Sequence, residues 1–357
     1  MVPTFRKALW WMFTPAIALG LYTSACAAAP SVDAQGDTAV PAFTVPFSGY
    51  ASPQARKVFQ RMLDEGRNAP PLDGPVAVSR AYYDKINTAR AELMERLYPV
   101  TIEKRNIGGV PTQVVTPKQG VAPAQQHRVL INLHGGAFLW GAGSGGLVES
   151  VPIASVGGTE VITVDYRQGP EHVFPTASED VAAVYRELLK QYPAQNIDIY
   201  GCSAGGGLTG EAVAWFIHEH LPVPGAIGIY CASIVDISGD SAWVAPVLSG
   251  EPPPVAPLKY SDLPYFKGAK SDDPLVFPAS SPELLKQFPP TLLITGTRDF
   301  AMSSAIQSQR LLTNAGVDAE LHIWDGMWHS FFSDAEMPES KEAYAVMVRF
   351  FDRHLGR

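Results

Sequence analysis

The stretch Ile199-Tyr200-Gly201-Cys202-Ser203-Ala204-Gly205-Gly206 constrains the fold more than any other, because it fences one serine between residues with little or no side chain. Asn196 to Tyr200 reads as a buried strand with Asp198 as its one misfit, and Ala204 to Leu221 carries Ala, Leu, Trp and Ile at helical spacing. Strand, G-x-S-x-G and helix in that order make a nucleophile elbow. A serine on such a corner takes strained backbone, so the positions two before and two after it must be nearly free of side chain. Gly201 and Gly205 meet that demand. The corner also aims the N–H of Ala204, at the positive end of the helix, toward whatever Ser203 attacks.

The chain begins with a pattern of its own. Arg6 and Lys7 precede an apolar run from Ala8 to Leu21, too short to span a bilayer comfortably and interrupted by Pro15, and small residues follow from Thr23 to Ala29. Residues 1–29 are therefore expected to be a signal peptide, with cleavage after Ala27 under the A-x-A rule. Ser24 and Ala25 before Cys26 also suit a lipoprotein site, although Thr23 stands where leucine is usual. The expectation is a periplasmic or secreted protein with no membrane span in the mature chain.

The remaining chain is long enough for one large α/β domain with a sizeable core or for two small ones. Hydrophobic residues make up 46% and charged residues 17%, which places it with globular proteins rather than disordered ones. A net charge of -8 argues against nucleic acid or an anionic membrane as partner. Two helices, Ser52 to Glu65 and Ser79 to Leu97, lead in with no strand signal between Ser31 and Pro99. Val100 to Asn106 and Thr112 to Thr116 then read as a hairpin. Apolar runs follow at Arg128 to Leu133, Glu160 to Asp165, Asn196 to Tyr200, Ala226 to Tyr230, Thr291 to Thr295 and Ala319 to Trp324. Helical patterns at Ala177 to Gln191, Ala204 to Leu221, Ala305 to Ala315 and Lys341 to His354 fill the gaps. This is an α/β pattern: a mostly parallel sheet with helices on both faces, begun by an antiparallel pair.

The third strand runs into His134-Gly135-Gly136-Ala137-Phe138. Adjacent glycines at a strand end let backbone N–H groups approach a reacting oxygen, so Gly136 and Ala137 join Ala204 as oxyanion-hole donors, with Gly135 as the hinge. His134 is read as a structural histidine holding that loop. Gly141-Ala142-Gly143-Ser144-Gly145-Gly146 matches G-x-G-x-x-G, but its first glycine does not follow a strand directly, so no dinucleotide site is expected. Arg167 is expected to brace the loop by pairing with Asp165 or Glu171.

Taken together, His134-Gly-Gly-Ala, Asp165-Tyr-Arg with Pro170-Glu171-His172, and Gly201-Cys-Ser-Ala-Gly-Gly resemble the hormone-sensitive-lipase-like, or family IV, esterases of the α/β-hydrolase superfamily. The resemblance runs from about Val100 to the C-terminus. It implies an eight-stranded sheet and a helical cap built from an N-terminal segment, here residues 30–99, and an insertion at about 235–282 within the hydrolase domain 100–357. Ala137 replaces the family's third glycine, Cys202 an aspartate common before the serine, and 296–300 lacks the further acidic residues usual after the catalytic aspartate.

The remaining partners must follow the serine as acid, then histidine. Asp299 comes just after the strand Thr291 to Thr295, and His329 lies in the loop after the last strand. His329 would act as general base and Asp299 would fix its tautomer. His218 and His220, two apart on a helix, make a poor metal pair. Phe138, Trp140, Phe300, Trp328 and Phe331 flank these loops and suggest an apolar substrate pocket. The expected function is a serine carboxylesterase for short-to-medium acyl or aromatic esters, acting through an acyl-serine intermediate with no metal and no cofactor. The same triad could serve acyl transfer to another alcohol, and some members of this fold bind ligands without turnover. Cys202 and Cys231 are expected to be free thiols, since Cys202 is locked in the elbow.

Overall fold

The computed structural model describes residues 29–354; the expected leader up to residue 28, with Cys26, lies outside them. Contacts divide the chain at Pro46 into two units. The first contains a small antiparallel hairpin, β1 (Ser31–Val32) and β2 (Thr38–Ala39), paired Ser31 to Ala39 and Val32 to Thr38. No strand was expected here. The turn rather than the strands makes it: Asp33 Oδ1 accepts the N–H groups of Gln35 and Asp37, both at 2.9 Å, and Gly36 supplies a φ of 89°.

The second unit, from Phe47 onward, holds everything else. Helices α1 (Pro53–Asn68) and α2 (Val76–Leu97) precede the edge hairpin β3 (Val100–Ile107) and β4 (Val110–Pro117). There follow β5 (Val129–Leu133), α3 (Ser144–Gly157), β6 (Val161–Val164), α4 (Thr176–Leu188), β7 (Ile197–Cys202), α5 (Ala204–His218) and β8 (Ala226–Tyr230). Then come α6 (Asp240–Leu248), α7 (Pro282–Leu285), β9 (Thr291–Arg298), α8 (Met302–Asn314), β10 (Ala319–Trp328) and α9 (Pro338–His354). The eight strands lie in the order β10-β9-β8-β7-β5-β6-β4-β3; β3 and β4 run antiparallel to their neighbours and every other pairing is parallel.

Alternate side chains of the central strands enter two separate cores, which is why these strands are apolar throughout. Ile131, Leu133, Ile199, Ile227 and Leu293 meet Val181 of α4, Leu208 of α5 and Ala305 of α8 on one face. Leu130, Tyr200, Leu292 and Ile294 meet Val151 of α3, Met347 of α9 and Phe59 of α1 on the other. Each such aliphatic side chain, fully buried, contributes about 1.5–3 kcal/mol. Asp198 is buried on the second face, its Oδ1 accepting the N–H of Ile199 at 3.1 Å. Burial pushes its carboxyl well above the usual range.

The lead-in helix α1 packs as part of this unit. Ser52 caps it by accepting the Ala55 N–H at 3.0 Å, and Ala55, Val58 and Phe59 are buried against the second core. Helix α3 was not foreseen. Its Gly145, Gly146 and Pro152 argue against a helix on propensity. Packing decides otherwise: a Cβ on Gly146 would sit 2.2 Å from Thr163 Oγ1, so the glycine lets α3 press onto β6. The G-x-G-x-x-G pattern is thus a packing and helix-start feature. Residues 235–282 supply α6 and short 3-10 turns, and bury Tyr260, Tyr265, Phe266 and Phe277 in the first core.

Candidate active site

Ser203 sits at the corner between β7 and α5 with φ 57° and ψ −123°, a conformation strained for any residue with a Cβ. The corner survives because its surroundings over-determine it. The Ser203 N–H donates to Tyr230 O at 2.8 Å, and Gly207 N–H donates to Ser203 O at 3.0 Å. A Cβ on Gly205 would fall 1.7 Å from Leu133 O, and one on Gly201 2.3 Å from the same atom, so the end of β5 presses against the elbow.

The structure brings the three residues singled out in the sequence into one line. Ser203 Oγ lies 2.9 Å from His329 Nε2, and His329 Nδ1 lies 2.8 Å from Asp299 Oδ1. Asp299 is fully buried, and three further facts hold it ready to accept. Its Oδ1 also takes the Ala301 N–H at 2.9 Å, its Oδ2 takes the Thr295 hydroxyl at 2.8 Å, and its carboxyl is held below the usual range. Burial would raise that carboxyl; the adjoining His329 ring and these hydrogen bonds outweigh it. With Nδ1–H donating to a carboxylate, Nε2 is left as an acceptor for the serine proton. Asp325 is exposed and turned elsewhere, accepting the hydroxyls of Ser48 and Thr297.

The glycine loop lies alongside the elbow: a Cβ on Gly135 would come 3.0 Å from Cys202 O and 3.3 Å from Ser203 Cβ. Gly136, Ala137 and Phe138 all have positive φ, at 120°, 52° and 58°. Among the described residues the N–H groups of Gly136 and Ala137 donate to nothing, and Ala204 as the first residue of α5 has no acceptor within the helix. Gly135 differs. Its N–H donates to Glu149 Oε1 at 2.9 Å, so it is not one of the free donors, and its part is the close approach to the elbow. His134 stacks on Tyr166 with ring centroids 4.3 Å apart, and its Nδ1–H donates to Gly135 O at 2.8 Å. Burial pushes its pKa down, which keeps the ring neutral.

Several expected contacts are corrected. Arg167 pairs with neither Asp165 nor Glu171; its Nε donates to Asp180 Oδ1 at 2.9 Å and its Nη2 to Glu179 at 3.1 Å. Residues 179 and 180 lie one helical start further on, where α4 brings them back to the guanidinium. The brace comes from Arg80 of α2, which donates to Leu139 O at 2.8 Å, Gly169 O at 2.9 Å and the Glu171 carboxylate at 2.7 Å. That pairing draws the Glu171 carboxyl down to about 2. Nothing local in the sequence links residue 80 to this loop.

Of the five expected pocket aromatics, Phe138, Trp328 and Phe331 are core residues. Phe138 is fully buried and stacked on Tyr265 at 4.7 Å, Trp328 rests on Phe59 at 5.4 Å, and Phe331 is fully buried beside Trp324. Their side chains turn inward, so nearness in sequence to the glycine loop or to His329 did not mean nearness to a cleft. Trp140 stacks on Tyr83 at 4.4 Å and lines a cavity of about 290 Å³ with Arg80, Asp84, Ser144 and Gln168. Phe300 lies on the His329 ring, with centroids 4.3 Å apart. Cys202 and Cys231 are free and buried. Cys202 Sγ lies 2.8 Å from Ser330 Oγ, and the Ser330 N–H donates to Cys231 Sγ at 3.2 Å.

Glu149 was not foreseen. Its Oε2 accepts the Cys202 N–H at 3.2 Å and the Asn132 side-chain amide at 3.0 Å, while Oε1 holds Gly135. The available signal was a lone acid in the apolar run Leu147 to Ala154.

Known proteins similar to this chain are esterases and acetyl-hydrolases. The putative acetyl-hydrolase LipR of Mycobacterium tuberculosis is 29% identical over 71% of this chain and 80% of its own length. An acetyl-hydrolase of Streptomyces hygroscopicus is 29% identical over 70% of this chain and 86% of its own. The crystal structure of esterase E25 superimposes with a TM-score of 0.75 at 29% identity, covering 89% of this chain and 98% of E25. That of an esterase from the bacterial hormone-sensitive lipase family gives 0.73 at 27% identity, covering 85% and 99%. Residues 130–333 match the family described by the alpha/beta hydrolase fold, a span that takes in the elbow, the glycine loop, Asp299 and His329. The chain therefore belongs to the α/β-hydrolase-fold family, among its hormone-sensitive-lipase-like esterases.

Proposed function

We propose that the protein is an exported serine carboxylesterase in which Ser203 is the nucleophile, His329 the general base and Asp299 the orienting acid. The observation that carries this reading is the unbroken line from Ser203 Oγ through both His329 nitrogens to the buried Asp299 carboxylate. Ser203 Oγ attacks the ester carbonyl carbon while its proton passes to His329 Nε2. The carbonyl oxygen becomes an oxyanion facing the N–H groups of Gly136, Ala137 and Ala204. Collapse breaks the bond to the alkoxy oxygen, which leaves as the alcohol with the proton from His329. Water then adds to the acyl-Ser203, giving its proton to His329, and the acid departs as Ser203 recovers its own.

Asp299 keeps Nδ1–H in place and stabilises the imidazolium formed in each half of the cycle. The acetyl-hydrolases among its relatives support the short end of the acyl range, and Phe300 beside His329 supports an apolar or aromatic leaving group. Among the described residues no helix is long and apolar enough to cross a membrane. The reading of the N-terminal segment as a leader cleaved after Ala27 supports export, and the first residue of the exported protein is then Ala28.

The test is a panel of p-nitrophenyl esters of rising acyl length, with Ser203→Ala as the blank. Turnover should fall by at least about ten-thousandfold in the variant, and a fluorophosphonate should label Ser203 alone. Label on another residue, or turnover that survives in Ser203→Ala, overturns the mechanism. Recovery of the activity only inside the cell, with residue 1 intact, overturns export.

A further inference from the structure

One carboxylate joins the two loops that must keep register for any attack at Ser203. Glu149 projects from the first half of α3, between the end of β5 and the elbow. Gly135, whose N–H it accepts, is bonded to the free donor Gly136; Cys202, whose N–H it also accepts, is bonded to Ser203. A single rigid carboxylate plane therefore ties donor loop to nucleophile. Asn132 completes the set and is itself held by the Thr163 hydroxyl, which donates to its Oδ1 at 2.7 Å.

We propose, resting on the esterase reading above, that Glu149 is a positioning residue that sets the spacing between the Gly136 and Ala137 N–H groups and Ser203 Oγ. The chemistry requires a carboxylate. Three donors converge on it, and only a group with acceptor sites on both oxygens answers all three. A glutamine of the same shape would turn an NH₂ toward one of the backbone N–H groups and release one loop. The spacing matters most when the oxyanion forms. Loss of one oxyanion donor costs about 10²–10³ in turnover, and a displacement of about 1 Å costs on the order of 10²-fold.

The carboxylate is also poised to change charge. Burial pushes it up to about 7, against the three hydrogen bonds, which pull the other way. The titratable groups facing it are Tyr166, Tyr200, Tyr230 and Cys202, and burial raises each of them, so all stay neutral. Activity dependent on the ionised clamp is present above about pH 7 and declines as pH falls through it.

The experiment compares full-length wild type, Glu149→Gln and Glu149→Asp on p-nitrophenyl butyrate, with active sites counted by fluorophosphonate labelling to completion. For Glu149→Gln, kcat per labelled site should fall about 30–100-fold with KM within about threefold. The inhibition constant of a trifluoromethyl ketone, which forms a tetrahedral adduct on serine, should rise by a similar factor. The fall in kcat per labelled site as pH drops through about 7 should be shallower in the glutamine variant than in the wild type, because the glutamine has no proton to gain there. Glu149→Asp, too short to reach both loops, should lose an intermediate amount, and it decides the matter if the glutamine variant does not fold. A wild-type kcat per labelled site in either variant, with only the melting temperature lowered, overturns the clamp. A wild type that labels elsewhere than Ser203 overturns the esterase reading and the clamp together.

Discussion

Asp325 lies close to His329 in the chain and Asp299 lies 30 residues before it, yet only Asp299 reaches its ring. Asp325 is four residues away and bonds Ser48 and Thr297 instead. Asp299, on the end of the neighbouring strand, meets Nδ1 at 2.8 Å. Asp299→Asn should lower kcat by roughly three to four powers of ten with little change in folding, because an amide at that position favours the wrong histidine tautomer. Asp325→Asn should stay within about tenfold, since it touches no reacting atom. Steady-state kinetics on purified variants decide it, and the reverse order would show that the orienting acid is misassigned. Residues like Asp299 were legible because chemistry fixes their order in the chain and strand ends fix their place. Arg80 and Glu149 were not, because their partners lie 59 or more and 14 or more residues away and no local pattern announces them. Phe138, Trp328 and Phe331 misled for the opposite reason: an aromatic beside a functional residue looks the same in sequence whether it faces a cleft or a core.

At the scale of elements, apolar runs located the parallel strands, most clearly the buried β5 to β9, because a strand covered on both faces has no polar side to confuse the pattern. Helix α3 escaped because two of its early residues are glycines that serve packing rather than helix formation, Gly146 against Thr163 of β6 and Gly145 against Asn87 of α2. Glycines in this chain therefore fall into kinds that the sequence does not distinguish. Gly205→Ala places a Cβ 1.7 Å from Leu133 O, a backbone atom that cannot step aside, and should cost about 3 kcal/mol or more. Gly66, exposed near the end of α1, has no atom within 4 Å of its missing Cβ. Gly66→Ala should stabilise by up to about 1 kcal/mol through helix propensity. Urea unfolding of the two variants provides the contrast, and a Gly205→Ala protein as stable as the wild type would mean that β5 does not press on the elbow.

For the molecule as a whole, the sheet, its antiparallel edge and its two-sided covering were legible, while the hairpin at residues 31–39 was not. Four strand residues held by an aspartate and a glycine carry too little apolar pattern to read. The positive φ of Ser203 has a consequence for the entire unit. A corner held at φ 57° and ψ −123° with a Cβ present stores about 1–3 kcal/mol that the rest of the fold must outweigh. Ser203→Ala keeps that Cβ, whereas Ser203→Gly removes it. The glycine variant should unfold at higher urea than the alanine variant, by about 1 kcal/mol after the extra freedom glycine gains in the unfolded chain, though both lack the hydroxyl. A glycine variant no more stable than the alanine one would mean that the corner is relaxed. If the difference appears, drift toward greater durability at this position leads away from turnover. The serine then persists there only while its chemistry is under selection, and a silent descendant of this chain would be recognised by a glycine at 203 and a higher melting temperature.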